Sequence, residues 1–412
     1  MQGYYRDPRK CARMQVGPLG PHLDSYARHL KDQRYGRAGA LERIRLVADF
    51  SVWLDQHGVG APAVSAQLAE QFLHDRRKLG YGRRKFERSA LARLLELLGQ
   101  RAITVQSSAP TVLTPAARLQ AEFDRYLQHQ RGLMLSTRRG YAWFVNRFLT
   151  ERFGNDAVDL SGLTAHEVTT FVRQQAAHFQ PPTSQAMTTA LRGFFRFAQQ
   201  RGGITTDLAA AVPSVAHWSL ATVPQALTPA QVQRVLASCD TTTALGRRDL
   251  AILLLLARFG LRAGEVATLT LDDIDWTTGR LIIHGKGGRM AHFPLLPDIG
   301  TALAAYLQQD RLRGTSCRRL FMRGPAPAGG LNPGAVGCVV RHALKRAGIA
   351  AAHRGSHLLR HSVATQMLRH GASLAEIGEL LRHRSPRTTA IYAKVDLTAL
   401  RTVAAAWPGG AQ

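Results

Sequence analysis

Apolar residues recur at three- and four-residue steps along most of this chain. Leu41, Ile44, Val47 and Ala48 do so, as do Leu91, Leu94, Leu95 and Leu98. That period puts them on one face of a helix, and it predicts a first helical block from Leu23 to about Leu98. Residues 103–115 (ITVQSSAPTVLTP) lose the period and gain Ser, Pro and Thr, which reads as a linker. A second helical block follows from about Ala116 to Arg201. Leu119, Phe123 and Leu127 open it, Val145, Phe148 and Leu149 continue it, and Leu191, Phe194, Phe195 and Ala198 close it. After a second Pro/Ser/Thr-rich stretch, residues 212–229, the texture changes. Thr228-Pro229 reads as an N-cap with Pro in the first helical position. A helix from about Arg247 is expected to end at Gly260. Arg280–His284 and Arg289–Pro294 read as short strands joined by the turn Gly285-Lys286-Gly287-Gly288. Helices resume at Asp298.

The pattern therefore predicts a mainly α protein: two helical-bundle domains, then a mostly α domain with a small antiparallel sheet. The expected division is a basic arm (1–20), a helical domain (21–105), a linker (106–115), a second helical domain (116–205), a linker (206–227) and a third domain (228–412). The two bundles match each other in places. Leu30 to Arg34 parallels Leu127 to Arg131, Val47 and Phe50 parallel Val145 and Phe148, and Ala90-Leu91 parallels Ala190-Leu191, at offsets of 97, 98 and 100 residues. A drifting offset is what loop insertions produce in a duplication, although amphipathic bundles in general share such spacings.

Charge sharpens the functional reading. The 412 residues carry 54 Lys+Arg against 28 Asp+Glu, a formal net charge of +26. A folded chain this basic repels itself unless an anion is near, and nucleic acid is the usual one. The four cysteines, Cys11, Cys239, Cys317 and Cys338, lie too far apart in sequence for a zinc motif or a disulfide framework, so no metal is expected and a reducing cytoplasm is. The basic start has no apolar stretch of a secretory signal, and the longest apolar run, Leu250–Ala257, is far shorter than the roughly 20 residues that span a bilayer.

Four segments of the third block hold polar groups that helix burial would not choose. Gly260-Leu261-Arg262-Ala263-Gly264-Glu265 follows a strongly apolar helix; taken alone, Arg262 and Glu265 read as a surface ion pair. Lys286 sits on a glycine-rich hairpin turn, where a solvated lysine would be ordinary. His357 and Arg360 share a helix face one turn apart, with Ser356 placed to cap the helix and Leu358, Leu359 and Val363 on its apolar side. The last is Leu381-Arg382-His383-Arg384-Ser385, after a Ser373-x-x-Glu376 capping box, followed by a short helix bearing Tyr392. Each alone fits a plain structural role. Together they make a consistent set for a phosphodiester: guanidinium and imidazole donors for a pentacoordinate phosphate, a phenol to attack it and an ammonium to protonate the leaving oxygen.

In that order these segments resemble the tyrosine recombinase (phage integrase) family. GLRAGEV looks like its first-arginine motif, with Arg262 and Glu265 in the arginine and acidic positions. Lys286 matches the hairpin lysine, His357-x-x-Arg360-His361 the H-x-x-R-H box, Leu381-Arg382-His383-x-Ser385 the L-G-H-x-S box, and Tyr392 the nucleophile. The resemblance runs from about residue 114 to 405, with the second bundle similar to the family's core-binding domain and the first bundle extra. Arg382 departs from the usual glycine, which suggests a tighter turn or an added phosphate contact. The resemblance implies catalytic Arg262, Lys286, His357, Arg360, His383 and Tyr392, with Glu265 supporting. It also implies a 3′-phosphotyrosine and a Holliday junction, a homotetramer on double-stranded DNA, no metal, ATP or other cofactor, no membrane, and work at the bacterial nucleoid. Residues 393–412, with Leu397, Leu400 and Val403 as an apolar side, are expected to dock on a neighbouring subunit or pack in cis. Type IB topoisomerase-like relaxation and a non-catalytic DNA-binding regulator are the alternatives.

Overall fold

The computed structural model describes residue 4 and residues 8–82, 84–101, 103, 114–154, 156–216, 223–285, 288–311, 317–395 and 400. Lys286, Leu397 and Val403 lie outside the described residues. Those described are mostly helical, with one three-stranded antiparallel sheet in the order β1-β2-β3. No helix among them is long and apolar enough to cross a membrane. By contacts the chain forms two compact units, residues 1–105 together with 222–412, and residues 106–221.

The first block comprises α1 (Pro8–Met14), α2 (Leu23–Asp32), α3 (Arg37–Gln56), α4 (Ala66–Lys78) and α5 (Glu87–Gln100). Its core gathers Leu30, Ile44, Val47, Phe50, Leu91 and Leu94. Residues expected as an arm differ from that picture. Pro8–Met14 is helical, and Leu19 is fully buried in the same core. The Leu19 N–H donates to Ser51 Oγ at 3.0 Å, and the Ser51 hydroxyl donates to the Val16 carbonyl at 2.7 Å, which fastens this segment to α3.

The second unit contains α6 (Pro115–His129), α7 (Leu135–Phe153), α8 (Ala165–Ala176), α9 (Pro181–Gln200) and the single turn α10 (Leu208–Ala211). Phe123 meets Phe194 edge to face, as Phe148 meets Phe195. Leu208, Ala209 and Val212 join this core, although the second linker was expected to begin at residue 206. One helical turn capped by Asp207 is too short to show a period in sequence. Leu30, Val47, Phe50, Ala90 and Leu91 are buried in the first bundle, and Leu127, Val145, Phe148, Ala190 and Leu191 are buried in the second. Ser65 caps α4 through its hydroxyl and Thr164 caps α8 in the same way.

The third block starts at α11 (Pro229–Ala237), where Thr228 and Gln231 form a capping box. Its centre is α12 (Ala244–Phe259), which packs against α11, α13 (Ala263–Thr268), α14 (Pro297–Gln309), α15 (Pro333–Arg346) and α16 (Ser356–Arg369). Neighbours on every side explain why Ala251–Leu256 is apolar all round. The sheet is β1 (Ile274–Asp275), β2 (Arg280–His284) and β3 (Met290–Pro294), with Leu281 opposite Phe293 and Ile283 opposite Ala291. Asp273 accepts from Thr270 and bonds His284 Nε2 at 2.7 Å, which anchors the end of β2 that leads into the hairpin turn. The chain then runs through α17 (Leu374–Leu380), α18 (Pro386–Thr389) and a 3₁₀ helix, Ala390–Val395.

Gly260 ends α12 in the left-handed region, φ +58, and turns the chain toward Arg262. A Cβ there would lie 2.6 Å from Leu381 Cδ2. Replacing it with alanine combines the left-handed penalty with overpacking, so Gly260→Ala is expected to lower stability by about 2–4 kcal/mol in urea unfolding. An unchanged midpoint would show that the Leu381 contact yields freely.

Candidate active site

Burial and pairing around one carboxylate organise the site. Glu265, in the first turn of α13, has a side chain only 4% exposed. It accepts from the Arg262 backbone N–H at 2.9 Å, from Arg262 Nη1 at 2.8 Å and from Arg382 Nη2 at 2.7 Å. Burial pushes its pKa up, but these donors and positive charges outweigh that and hold it below the usual carboxylate range. The pair that reads as a surface one when taken alone therefore leaves the Arg262 side chain 33% exposed but has its carboxylate buried. Solvent is largely excluded because α13 is wedged between α12, α15 and β2.

For Arg382 the sequence left open a tighter turn or an added phosphate contact, and the structure shows where its side chain goes. Its backbone sits at φ +55, the conformation that favours glycine. Its guanidinium bonds Glu265 and the Leu380 carbonyl and lies 4.9 Å from the centre of the Phe293 ring. That side chain is engaged inward instead of offered to a phosphate.

Arg360, on α16, is 3% exposed. Its two terminal nitrogens donate to the carbonyls of Gly260 and Leu381, tying α16 to the end of α12 and to the turn after α17. Burial, then the neighbouring Arg262, lowers its pKa to about 10. Ser356 is the first residue of α16, and Gly355 takes the cap position without a side-chain bond, so the expected serine cap is absent.

Tyr392 sits on the 3₁₀ helix and is 1% exposed. Its hydroxyl is 2.9 Å from His361 Nδ1. The His383 ring lies parallel to the phenol, 6.5 Å away, and His383 Nδ1 is 2.7 Å from Thr389 Oγ1. A hydroxyl donating to that nitrogen leaves the His383 proton on Nε2, free to be donated. Burial raises the phenol pKa, and Arg360 and Arg262 pull it back down. Burial, helped by the surrounding cations and histidines, lowers His361 and His383 to about 4 each and also lowers His357. Near neutral pH the imidazoles are uncharged, so His361 Nδ1 accepts from the Tyr392 hydroxyl.

Arg262, Glu265, His357, Arg360, His383 and Tyr392 thus fall in one electrostatic neighbourhood, while Lys286 is outside the described residues. His361 and Thr389, which had no assigned part in the sequence reading, touch Tyr392 and His383. The position of His361 beside Arg360 in the motif was the available signal; nothing in the sequence marked Thr389.

The phage integrase family profile matches residues 225–398, and the phage integrase N-terminal SAM-like domain matches residues 121–202. A putative integrase/recombinase, y4rA of Sinorhizobium fredii (strain NBRC 101917 / NGR234), is 43% identical over 406 residues, covering 97% of each chain. The chain belongs to the phage integrase family of tyrosine recombinases. The tyrosine recombinase XerD of Mycobacterium tuberculosis (strain CDC 1551 / Oshkosh) is 32% identical over 313 residues, 72% of this chain and 97% of that one. This recombinase therefore carries length that XerD lacks and y4rA shares. Among solved structures, the XerH site-specific recombinase in a post-cleavage complex with its palindromic difH substrate has the same fold, with a TM-score of 0.54 at 20% identity over 69% of this chain and 83% of that one.

The lowered histidines set a pH dependence. Unfolded histidines titrate near 6.5, whereas His361 and His383 in the folded chain titrate near 4. Between those values the unfolded chain binds protons that the folded chain does not, so stability falls as pH drops from about 6.5 towards 4. Urea unfolding at a series of pH values should show this fall, and His361→Asn combined with His383→Asn should flatten it. An unchanged slope in the double variant would assign the acid sensitivity elsewhere.

Proposed function

We propose that this recombinase cuts and rejoins DNA at specific sites with Tyr392 as nucleophile. The observation that carries the reading is the Tyr392 hydroxyl held by a neutral histidine, within the field of two arginines and beside a second imidazole. The phenol gives its proton to His361 as its oxygen bonds phosphorus. The 5′-oxygen then leaves, taking a proton from Lys286, and a 3′-phosphotyrosine remains. A 5′-hydroxyl from a partner duplex attacks that ester, releases Tyr392 and forms a Holliday junction. One phosphoester bond is made for each one broken, so no ATP is consumed.

Charge balance supports the scheme without a metal. Arg262, Arg360, Arg382 and the protonated Lys286 contribute four positive charges and Glu265 one negative, and the histidines are neutral, which leaves three positive charges. A phosphodiester brings one negative charge, and the pentacoordinate species formed on attack carries about two. The donors thus match the transition state better than the substrate, which is the condition for speeding the chemical step. His357 and His383 would donate to the non-bridging oxygens, and Glu265 would orient Arg262.

The domain reading belongs to the same proposal. Residues 228–412 form the catalytic domain, 116–205 the core-binding domain, and 21–105 a diverged duplicate of the latter, and four subunits assemble on two duplexes in the cytoplasm. Supporting this, the two bundles bury matching positions, and Ser65 caps α4 as Thr164 caps α8.

The test is a nicked suicide duplex from the flanks of the protein's own gene, incubated in EDTA. A denaturant-resistant adduct on Tyr392, mapped by mass spectrometry, is expected; Tyr392→Phe should abolish it and keep DNA binding. An adduct that persists in Tyr392→Phe would remove Tyr392 as nucleophile, and dependence on divalent metal would overturn the scheme. Arg262→Ala should slow single-turnover cleavage by about 10²–10³-fold, the usual loss for one oxyanion donor. Weaker binding with an unchanged cleavage rate at saturation would assign Arg262 to binding alone.

A further inference from the structure

The first bundle carries its charge in one place. Residues 21–103 hold 15 Lys/Arg and 9 Asp/Glu, yet residues 76–88 (RRKLGYGRRKFER) hold seven Lys/Arg and a single Glu. The remainder of the bundle balances, at eight of each sign. The basic segment spans the end of α4, the turn and the start of α5. The matching turn of the second bundle, residues 175–187 (QAAHFQPPTSQAM), has no Lys, Arg, Asp or Glu. The paired positions named above are buried in both bundles, and Ser65 and Thr164 cap the helices that lead into this turn, so the difference lies in its surface.

Some of these cations serve the fold. Arg76 pairs with Asp49 at 2.7 Å, Arg84 with Glu42 at 3.2 Å and Arg88 with Glu70 at 2.7 Å. Arg77, Lys78 and Lys85 are exposed and make no ion pair among the described residues. Arg77, Arg84, Lys85 and Arg88, with Leu73 and Glu87, line a cavity of about 430 Å³. Beside it, Tyr81 is 55% exposed with the Arg76 guanidinium 4.2 Å from its ring centre, and Leu79 is 78% exposed.

We infer that the α4–α5 turn is a second site for duplex DNA, which grips the phosphate backbone through Arg77, Lys78 and Lys85 away from the site of strand cleavage. Lysine is depleted at protein–protein interfaces, whereas Lys and Arg make most backbone contacts to DNA. The exposed Tyr81 ring, stiffened by Arg76, offers an apolar edge to the sugars between phosphates. Contacts of this kind are indifferent to base sequence, so the site adds affinity and holds a stretch of duplex without choosing it. This inference rests on the DNA reading of the proposed function.

The test compares two triple variants of the full chain. Arg77→Gln/Lys78→Gln/Lys85→Gln removes the proposed contacts; Arg28→Gln/Lys31→Gln/Arg45→Gln removes equal charge from other exposed positions of the same bundle. All six residues are exposed, so both variants should unfold in urea near the parent midpoint. Binding to a labelled duplex of arbitrary sequence is measured against salt. Three lost phosphate contacts should reduce the log–log salt slope by about 2–3 in the first variant and leave it unchanged in the second. Equal changes in both, or no change in the first, overturn the site. An unchanged slope with altered subunit assembly instead makes the turn a surface for an acidic protein, and also overturns it. Adduct formation at Tyr392 is read on the same preparations at saturating DNA. Its loss in the parent chain strikes the cleavage reading, whereas its retention in the first variant beside a reduced slope separates the second site from catalysis.

Discussion

A single buried carboxylate makes the rest of the site possible. Arg262, Arg360 and Arg382 converge on a half-dry junction of α12, α13, α16 and the turn after α17, and three guanidinium groups there would repel one another strongly. Glu265 supplies the counter-charge from beneath, with its oxygens occupied by Arg262 and Arg382. Backbone carbonyls of Gly260 and Leu381 take the donors of Arg360. Buried charges persist only where paired and hydrogen bonded, so loss of Glu265 would leave uncompensated cations and not merely remove a contact. The chain ends that meet here are fixed by the same bonds that neutralise the arginines. Site geometry and local stability are consequently one problem, solved once.

The residual positive charge also governs the neighbours. Burial chiefly holds the histidines neutral and the positive charge adds to that, while the same charge partly offsets the rise that burial imposes on the phenol of Tyr392. A neutral His361 can accept from the hydroxyl, which a charged imidazolium could not. The proposed nucleophile is thus buried and hydrogen bonded, with burial holding its pKa above the ordinary phenol value and the arginines offsetting part of that rise. An arriving phosphate would change that balance directly, since a negative charge at the arginines lifts the histidine pKa values and makes His361 a better acceptor for the phenol proton.

On the proposed duplication, the two helical bundles are one frame whose surface has diverged. Ser65 caps α4 and Thr164 caps α8, and Phe50 and Phe148 are each buried in their own bundle. Packing constrains such positions because a change in volume is felt throughout a dense core. A solvent-facing turn has no such constraint, and there one bundle is strongly basic while the other is uncharged. Charge placed at a turn is free to specify a partner without disturbing the fold beneath it.

By itself the sequence determined the helical character, the hairpin and the order of the motif residues. Those depend on local periodicity, on caps such as Thr228 with Gln231, and on glycine at turns, all of which are written in neighbouring positions. It also marked most of the candidate site, because Arg262, Arg360, His383 and Tyr392 stand in short recognisable motifs. Only the tertiary structure decided what those groups touch. Taken alone Glu265 read as a surface partner, and only the resemblance gave it a supporting place, since its spacing from Arg262 says nothing of the helices that close over it. Arg382 read as a tighter turn or an added phosphate contact since its carboxylate partner is 117 residues away. Leu19 and Leu208 read as arm and linker because a buried residue at the end of one turn has no period to betray it. His361 became the partner of Tyr392 only when α16 and the final 3₁₀ helix came together. Burial and long-range pairing belong to the packing of distant segments, and no local pattern encodes them.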